Sequence, residues 1–117
     1  MTFKVRLNIF DITDQLQQIA KAKSINLNVP QIFHSNVQVD NLEFYYANDV
    51  CVGYSEVSQF GTPIQQVQKG QTNKTLSQII EFICQEQFKA SKYNPVSNNC
   101  NHFSLQFIEF LIDENVE

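Results

Sequence analysis

The order of patterns along the chain predicts an α+β fold, and three stretches carry that expectation. Residues 3–10 alternate strictly, with Phe3, Val5, Leu7 and Ile9 on one face, as a half-buried strand requires. Residues 32–54 repeat the alternation around two polar turns, which reads as a β-meander. Helical patterns then close the chain over about 75–88 and about 100–112. Strands gathered first and helices afterwards, rather than in strict alternation, define the α+β class.

Each element has a local reason. Asp11 and Thr13 are placed to cap a short helix over 14–22, where Leu16, Ile19 and Ala20 share a face. Asn26, Asn28 and Pro30 break that pattern. Residues 32–39 alternate, Asp40-Asn41 turns the chain, 42–47 returns, and 50–54 adds a strand after a turn at Asn48-Asp49. Gly61-Thr62-Pro63 opens an extended run over 64–67 that Lys69-Gly70 is expected to close. Thr72 or Asn73 is a cap for the helix over 75–88, whose Leu76, Ile79, Ile80, Ile83 and Gln87 follow helical spacing. The polar stretch 89–99, with Asn94-Pro95, reads as a loop. The last helix is apolar almost all round, which predicts packing on more than one side. Residues 1–112 read as one domain and 113–117 as a short acidic tail.

Composition narrows the function. A chain of 117 residues suits one core, and ten phenylalanines supply much of its bulk. Asparagine and glutamine together number 26, scattered among apolar residues, so they read as solvated faces of ordinary elements. The net charge is −4 and the eight Lys and Arg are spread thinly, which argues against nucleic acid as a partner. No apolar run approaches the roughly 18 residues of a membrane helix. With no secretory pattern at its start, the chain is expected to keep its three cysteines as free thiols in the cytoplasm. Their positions, 51, 84 and 100, fit no zinc pattern, so neither metal nor cofactor is expected. No carboxylate pair suggests glycosidase chemistry, and three glycines make no phosphate loop.

One cysteine stands where chemistry favours it. Asn98-Asn99-Cys100 leads into the most apolar helix, with Asn98 or Asn99 as N-cap and Cys100 in the first turn. Free N–H groups and the positive helix end there favour a thiolate and can hold an oxyanion. The same position also suits a small buried hydrophobe. His34 lies on a strand, with Asn36 and Gln38 on its face and Val37 and Val39 on the other. That parity suits either an exposed histidine or a base rigidly presented to a thiol. His102 is two positions from Cys100, so on a helix the two side chains diverge, and it reads as an exposed polar residue. Cys51, in a short apolar strand, and Cys84, beside the stripe of helix 75–88, read as structural.

Two segments resemble a known family. His34-Ser35-Asn36-Val37-Gln38-Val39 followed by Glu43-Phe44-Tyr45-Tyr46 resembles its histidine strand and aromatic partner strand. Tyr93-Asn94 through Asn98-Asn99-Cys100-Asn101-His102-Phe103-Ser104 resembles its cysteine motif, in which Asn-Cys-Asn precedes Phe-Ser. The family is the PPPDE superfamily of permuted-papain peptidases, which includes the deSUMOylating isopeptidases, and the likeness runs from about residue 3 to 112. It implies a circularly permuted papain-like fold, an antiparallel meander packed with a central cysteine-bearing helix. It implies Cys100 as nucleophile and His34 as base, with Asn98, Asn99 and Asn101 as cap or oxyanion candidates. Ser35, Asn36, Tyr45 and Tyr46 become groove candidates. It implies cleavage of SUMO or ubiquitin conjugates in the cytoplasm, with the nucleus as a second compartment, and a homodimer as one arrangement of the groove. A thioesterase acting on acylated protein cysteines, or a silent binding module, are the competing functions. Ala47-Asn48-Asp49 departs from the glycines that often follow the aromatic strand in the family.

Overall fold

The computed structural model describes residues 2–25, 33–94 and 97–112. Along the chain come β1 (Phe3–Asp11), α1 (Thr13–Ala22), β2 (Phe33–Val39), β3 (Leu42–Tyr46), β4 (Val50–Tyr54), β5 (Gln65–Thr72), α2 (Leu76–Ile83) and α3 (Cys100–Ile112). Single 3-10 turns lie at Ser55–Val57, Glu86–Phe88 and Ala90–Lys92. The strands form one antiparallel sheet in the order β4-β3-β2-β1-β5, so the first strand lies inside the sheet between β2 and β5. The expected breaks at Asn26, Asn28 and Pro30, and the acidic tail 113–117, lie outside the described residues.

Local chemistry sets the element ends. Asp11 Oδ1 accepts from both the N–H and the hydroxyl of Thr13, at 2.9 and 2.6 Å, in the turn before α1, but the N-cap is Ile12 and carries no side-chain cap, so neither Asp11 nor Thr13 caps the helix as expected. Asp40 (φ 52°) and Asn48 (φ 73°) take left-handed turn positions, which Asp and Asn tolerate best among non-glycine residues.

Three further expectations are corrected. Lys69-Gly70 does not close β5, because the ladder to β1 shifts register between Val5 and Arg6 and leaves Lys69 as the extra residue of a bulge. Gly70 makes the bulge possible, at φ +128°. The cap of α2 is Thr75, not Thr72 or Asn73, in a reciprocal box with Gln78 at 3.2 and 2.7 Å. That helix also ends at Ile83, leaving Gln87 outside it, because a 3-10 turn carries Phe88 into the core. There Phe88 is 1% exposed and meets the rings of Phe82, Tyr46 and Phe103.

One face of the sheet carries α3. Val5, Val37, Val39, Phe44 and Tyr46 from the strands form a single cluster with Phe103, Phe107 and Leu111 of that helix and Ile79 of α2. Truncating any one of the buried phenylalanines is expected to cost about 3–5 kcal/mol. The helix is not packed all round, since Leu105 stays 63% exposed and its flank borders a cleft.

Strand alternation puts Asn8, Phe10, His34, Asn36, Gln38, Glu43 and Tyr45 on the other face. That face is polar yet largely sealed: Asn8, His34, Asn36, Gln38 and Glu43 are all buried. Asn8 Nδ2 donates to Gln38 Oε1 (2.9 Å), Gln66 Nε2 to Asn8 Oδ1 (2.9 Å), and Gln38 Nε2 to the Asp40 carbonyl (2.6 Å). Buried amides persist because such bonds replace those they made to water.

Candidate active site

The loop before α3 is tied down by its own amides. Asn98 Nδ2 donates to the carbonyls of Gln87 (2.8 Å) and Lys92 (3.0 Å). Asn99 is the cap, its Oδ1 accepting from the N–H groups of Asn101 (2.9 Å) and His102 (3.3 Å). Cys100 then opens the helix, 9% exposed. Backbone N–H groups of Ser35, Asn101 and Cys100 itself favour its thiolate, but burial outweighs them and pushes the thiol above its ordinary value. The lowered pKa expected of a helix head is therefore corrected: desolvation wins over the oriented N–H groups, and the resting group is a neutral thiol.

His34 is 4% exposed on β2. Phe60 stacks on its imidazole with ring centroids 3.9 Å apart, and Tyr45 meets it edge-on at 5.7 Å. Its Nε2 is hydrogen-bonded to Asn36 Oδ1. With the amide oxygen of Asn36 facing the ring, Nε2 is the nitrogen that donates and Nδ1 the one that keeps the lone pair; the flipped amide would exchange the two. Burial lowers its pKa to about 4, with the Asn36 bond a partial offset. At neutral pH the imidazole is an uncharged base.

The two groups approach one peptide of β2. The N–H that bears on the Cys100 sulfur belongs to Ser35, and that peptide joins Ser35 to His34. The β2–β3 ladder stops at Val37–Phe44 while β3 continues along β4 to Tyr46–Val50. The head of α3 meets β2 past that point. Ser35 Oγ donates to Asn101 Oδ1 at 2.7 Å and lies 2.9 Å from Ser104 Oγ. The His34 side chain projects from the opposite face to that of Ser35, and no hydrogen bond among the described residues joins imidazole and sulfur.

The remaining candidates fall elsewhere. His102 is exposed and engaged with the cap, its Nδ1 2.9 Å from Asn99 Oδ1. Tyr46 is wholly buried and donates to the Lys89 carbonyl at 2.8 Å, so it lines no groove. Tyr45 is half-buried, and Gln59 Nε2 donates to its hydroxyl at 3.0 Å. Cys51 is half-buried beside Tyr45, whereas Cys84 is exposed at the end of α2, where the early stop of the helix removes it from the buried stripe.

Sequence reasoning passed over Phe60, whose only local mark is an aromatic ring before Gly61 in a turn-rich segment. It also missed a cleft of about 420 Å³ beside the head of α3. Leu7, Ile9, Ile64, Leu105 and Ile108 give it apolar walls, and Ser35, Gln65, Lys69, Asn101 and Ser104 its polar groups. No helix among the described residues is long and apolar enough to cross a membrane.

A cysteine-headed helix laid across an antiparallel sheet, next to a histidine strand, is a papain-like α+β arrangement. The chain belongs to the PPPDE putative peptidase domain family, whose model matches residues 3–117. Among curated proteins it is similar to desumoylating isopeptidase 1 of Rattus norvegicus and of Homo sapiens. Each is 24% identical over 121 residues, an overlap covering 97% of this chain and 70% of the relative. Family membership makes this a hydrolase of the peptidase kind.

Proposed function

We propose that the chain is a cysteine isopeptidase that releases SUMO, or a related ubiquitin-like protein, from lysine side chains. Cys100 is its nucleophile and His34 its base. The observation that carries this reading is the docking of the α3 head, which Cys100 opens, on β2 one residue from His34, through Ser35 Oγ with Asn101 Oδ1 at 2.7 Å and Ser104 Oγ at 2.9 Å. Similarity to two desumoylating isopeptidases supports SUMO as the first conjugate to test.

Thiol and imidazole are both neutral at rest, so the proton moves during attack rather than before it. No hydrogen bond joins the two groups at rest, so this mechanism requires the imidazole to leave Asn36 and turn onto the sulfur. Nδ1 takes the thiol proton as sulfur attacks the isopeptide carbonyl, and backbone N–H groups at the head of α3 and at Ser35 receive the oxyanion. The imidazolium then protonates the departing lysine amine, and water attacks the thioester with His34 again as base. Asn36 and Tyr45 flank the base in this scheme, and Ser35 lines the cleft on the α3 side. Cleavage of SUMO and ubiquitin conjugates by the full chain tests the proposal. Cys100→Ser is expected to abolish turnover, and His34→Ala to slow it about 10²–10⁴-fold. Unchanged turnover in either variant removes that residue from the mechanism.

The apolar cleft favours a second reading, thioester cleavage of acylated cysteines, because its walls suit an acyl chain. Filling it with Leu105→Trp should slow release of an acyl chain from a peptide cysteine and leave isopeptide cleavage alone. Equal effects on both substrates would reject the cleft as an acyl site. The cytoplasm and a homodimeric groove complete the proposal, the latter tested by sedimentation of the active protein.

A further inference from the structure

Three of the polar groups that line the cleft are joined by hydrogen bonds that can be followed atom by atom. Ser35 and Ser104 are buried, and Asn101 is exposed in the first turn of α3. Ser35 Oγ donates to Asn101 Oδ1 at 2.7 Å. That spends the one hydrogen of Ser35, so Ser104 supplies the hydrogen for the 2.9 Å contact between the two hydroxyls, or turns it to the Ser35 carbonyl at 3.3 Å. The backbone of Asn101 is held too, its N–H donating to Asn99 Oδ1 at 2.9 Å. One group of the set is left over. Asn101 Nδ2 carries two hydrogens and has no hydrogen-bond partner among the described residues. The other side-chain donors of the cleft with nitrogen, Gln65 and Lys69, stand on β5, whereas Asn101 follows Cys100 directly in the chain.

We infer that Asn101 is a substrate-binding residue, its side-chain amide donating to a backbone carbonyl of the conjugated protein's tail as that tail crosses the mouth of the cleft, at least one residue before the carbonyl that Cys100 attacks. The inference rests on Cys100 being the nucleophile. Ser35 holds the amide by its oxygen and the cap holds its backbone, so the donor is ordered before substrate arrives and little freedom is lost when it binds. Until then the two hydrogens face water, and the gain is that of exchanging water for a carbonyl. The class of substrate follows from the donor. A peptide tail offers a carbonyl at every residue, and a fatty acyl chain offers none beyond the reacting one. Asn101 therefore favours a peptidyl substrate over an acylated cysteine at the same nucleophile.

Two thioesters of one leaving thiol test this on the full chain, an acetylated tripeptide and an octanoyl chain. Both react with the same sulfur at the same kind of carbonyl, so the ratio of their kcat/KM values cancels any change in the nucleophile itself. Asn101→Leu, close in size and without donors, should lower the peptide-to-octanoyl ratio about three- to tenfold. Asn101→Asp keeps an oxygen for the Ser35 hydroxyl but turns a second oxygen to the cleft, and should lower the ratio at least as far. A residue that only braced α3 would keep its ratio in that variant, because the bond to Ser35 survives. Should the octanoyl ester react too slowly to measure, alkylation of Cys100 by iodoacetamide in a Cys51→Ser/Cys84→Ser background takes its place as the reference.

A ratio unmoved in both variants overturns the inference. So does a ratio that Asn101→Asp preserves, since the tail would then offer an N–H to an oxygen, or an equal fall for both substrates, which would place the amide at the reacting carbonyl. If Cys100→Ser is inactive while the Asn101 variants keep the wild-type ratio, Asn101 loses its role and the nucleophile stands. If Cys100→Ser still cleaves both thioesters, the nucleophile reading falls and this inference with it.

Discussion

Replacing the buried imidazole by an amide should flatten the dependence of stability on pH. His34 is 4% exposed, and burial lowers its pKa to about 4 from an ordinary 6.5. The unfolded chain therefore binds a proton at this residue, between those two values, that the folded chain refuses. Stability from this group is full above the unfolded pKa and is lost as pH falls toward the folded one. Inserting the two pKa values into the linkage relation gives a loss of about 2 kcal/mol between roughly pH 7 and pH 5. Glu43, whose pKa is raised, contributes in the opposite direction, but it is present in both proteins and largely cancels in the comparison. Urea unfolding of wild type and His34→Gln at the two pH values is the assay. With a slope of about 1–1.5 kcal/mol per molar for a small domain, the wild-type midpoint should fall about 1–2 M further than that of the variant. Equal falls in the two proteins, or an imidazole that titrates near 6.5 by NMR, would refute the reasoning.

Two smaller tests address the supports of the site. Asn99→Ala removes the oxygen that accepts two N–H groups at the start of α3, and should cost about 1 kcal/mol in unfolding experiments. An unchanged midpoint would mean that water replaces the cap. Gly70→Ala forces a side chain onto φ +128° at the bulge, where a Cβ would also touch Ile112 at 3.5 Å, and should cost about 1–3 kcal/mol of thermal or urea stability. A neutral substitution would show that the strand can shed its bulge.

Much of the architecture is local and was legible as such. The alternation of Phe3, Val5, Leu7 and Ile9, the turns at Asp40 and Asn48, and the apolar rows of α2 and α3 follow from side-chain period and turn chemistry. The same period put His34, Asn36 and Gln38 on one face and Val37 and Val39 on the other. Capping was partly legible. Asn99 was one of two candidates for α3, whereas Thr75 was missed because Thr72 and Asn73 are equally plausible by type. The end of α2 was missed because Phe88 leaves the helix for contacts with Tyr46 and Phe103, residues distant in the chain.

Period states which way a side chain points, and it is silent about what lies there. The polar face read from the sequence suggested water, yet tertiary packing closes over His34, Asn36 and Glu43 and so depresses one pKa and raises another. Cys100 at a helix head suggested a thiolate, and desolvation by the surrounding fold decides for the thiol. The place of β1 inside the sheet, the Ser35 N–H at the sulfur, the Phe60 ring on the imidazole and the cleft beside Leu105 all join residues far apart in sequence. The chain by itself determined its elements, their faces and the chemical types at the site. Only the folded molecule decided which groups meet and which lose their water, because desolvation and long-range contact are properties of the whole packing rather than of any local segment.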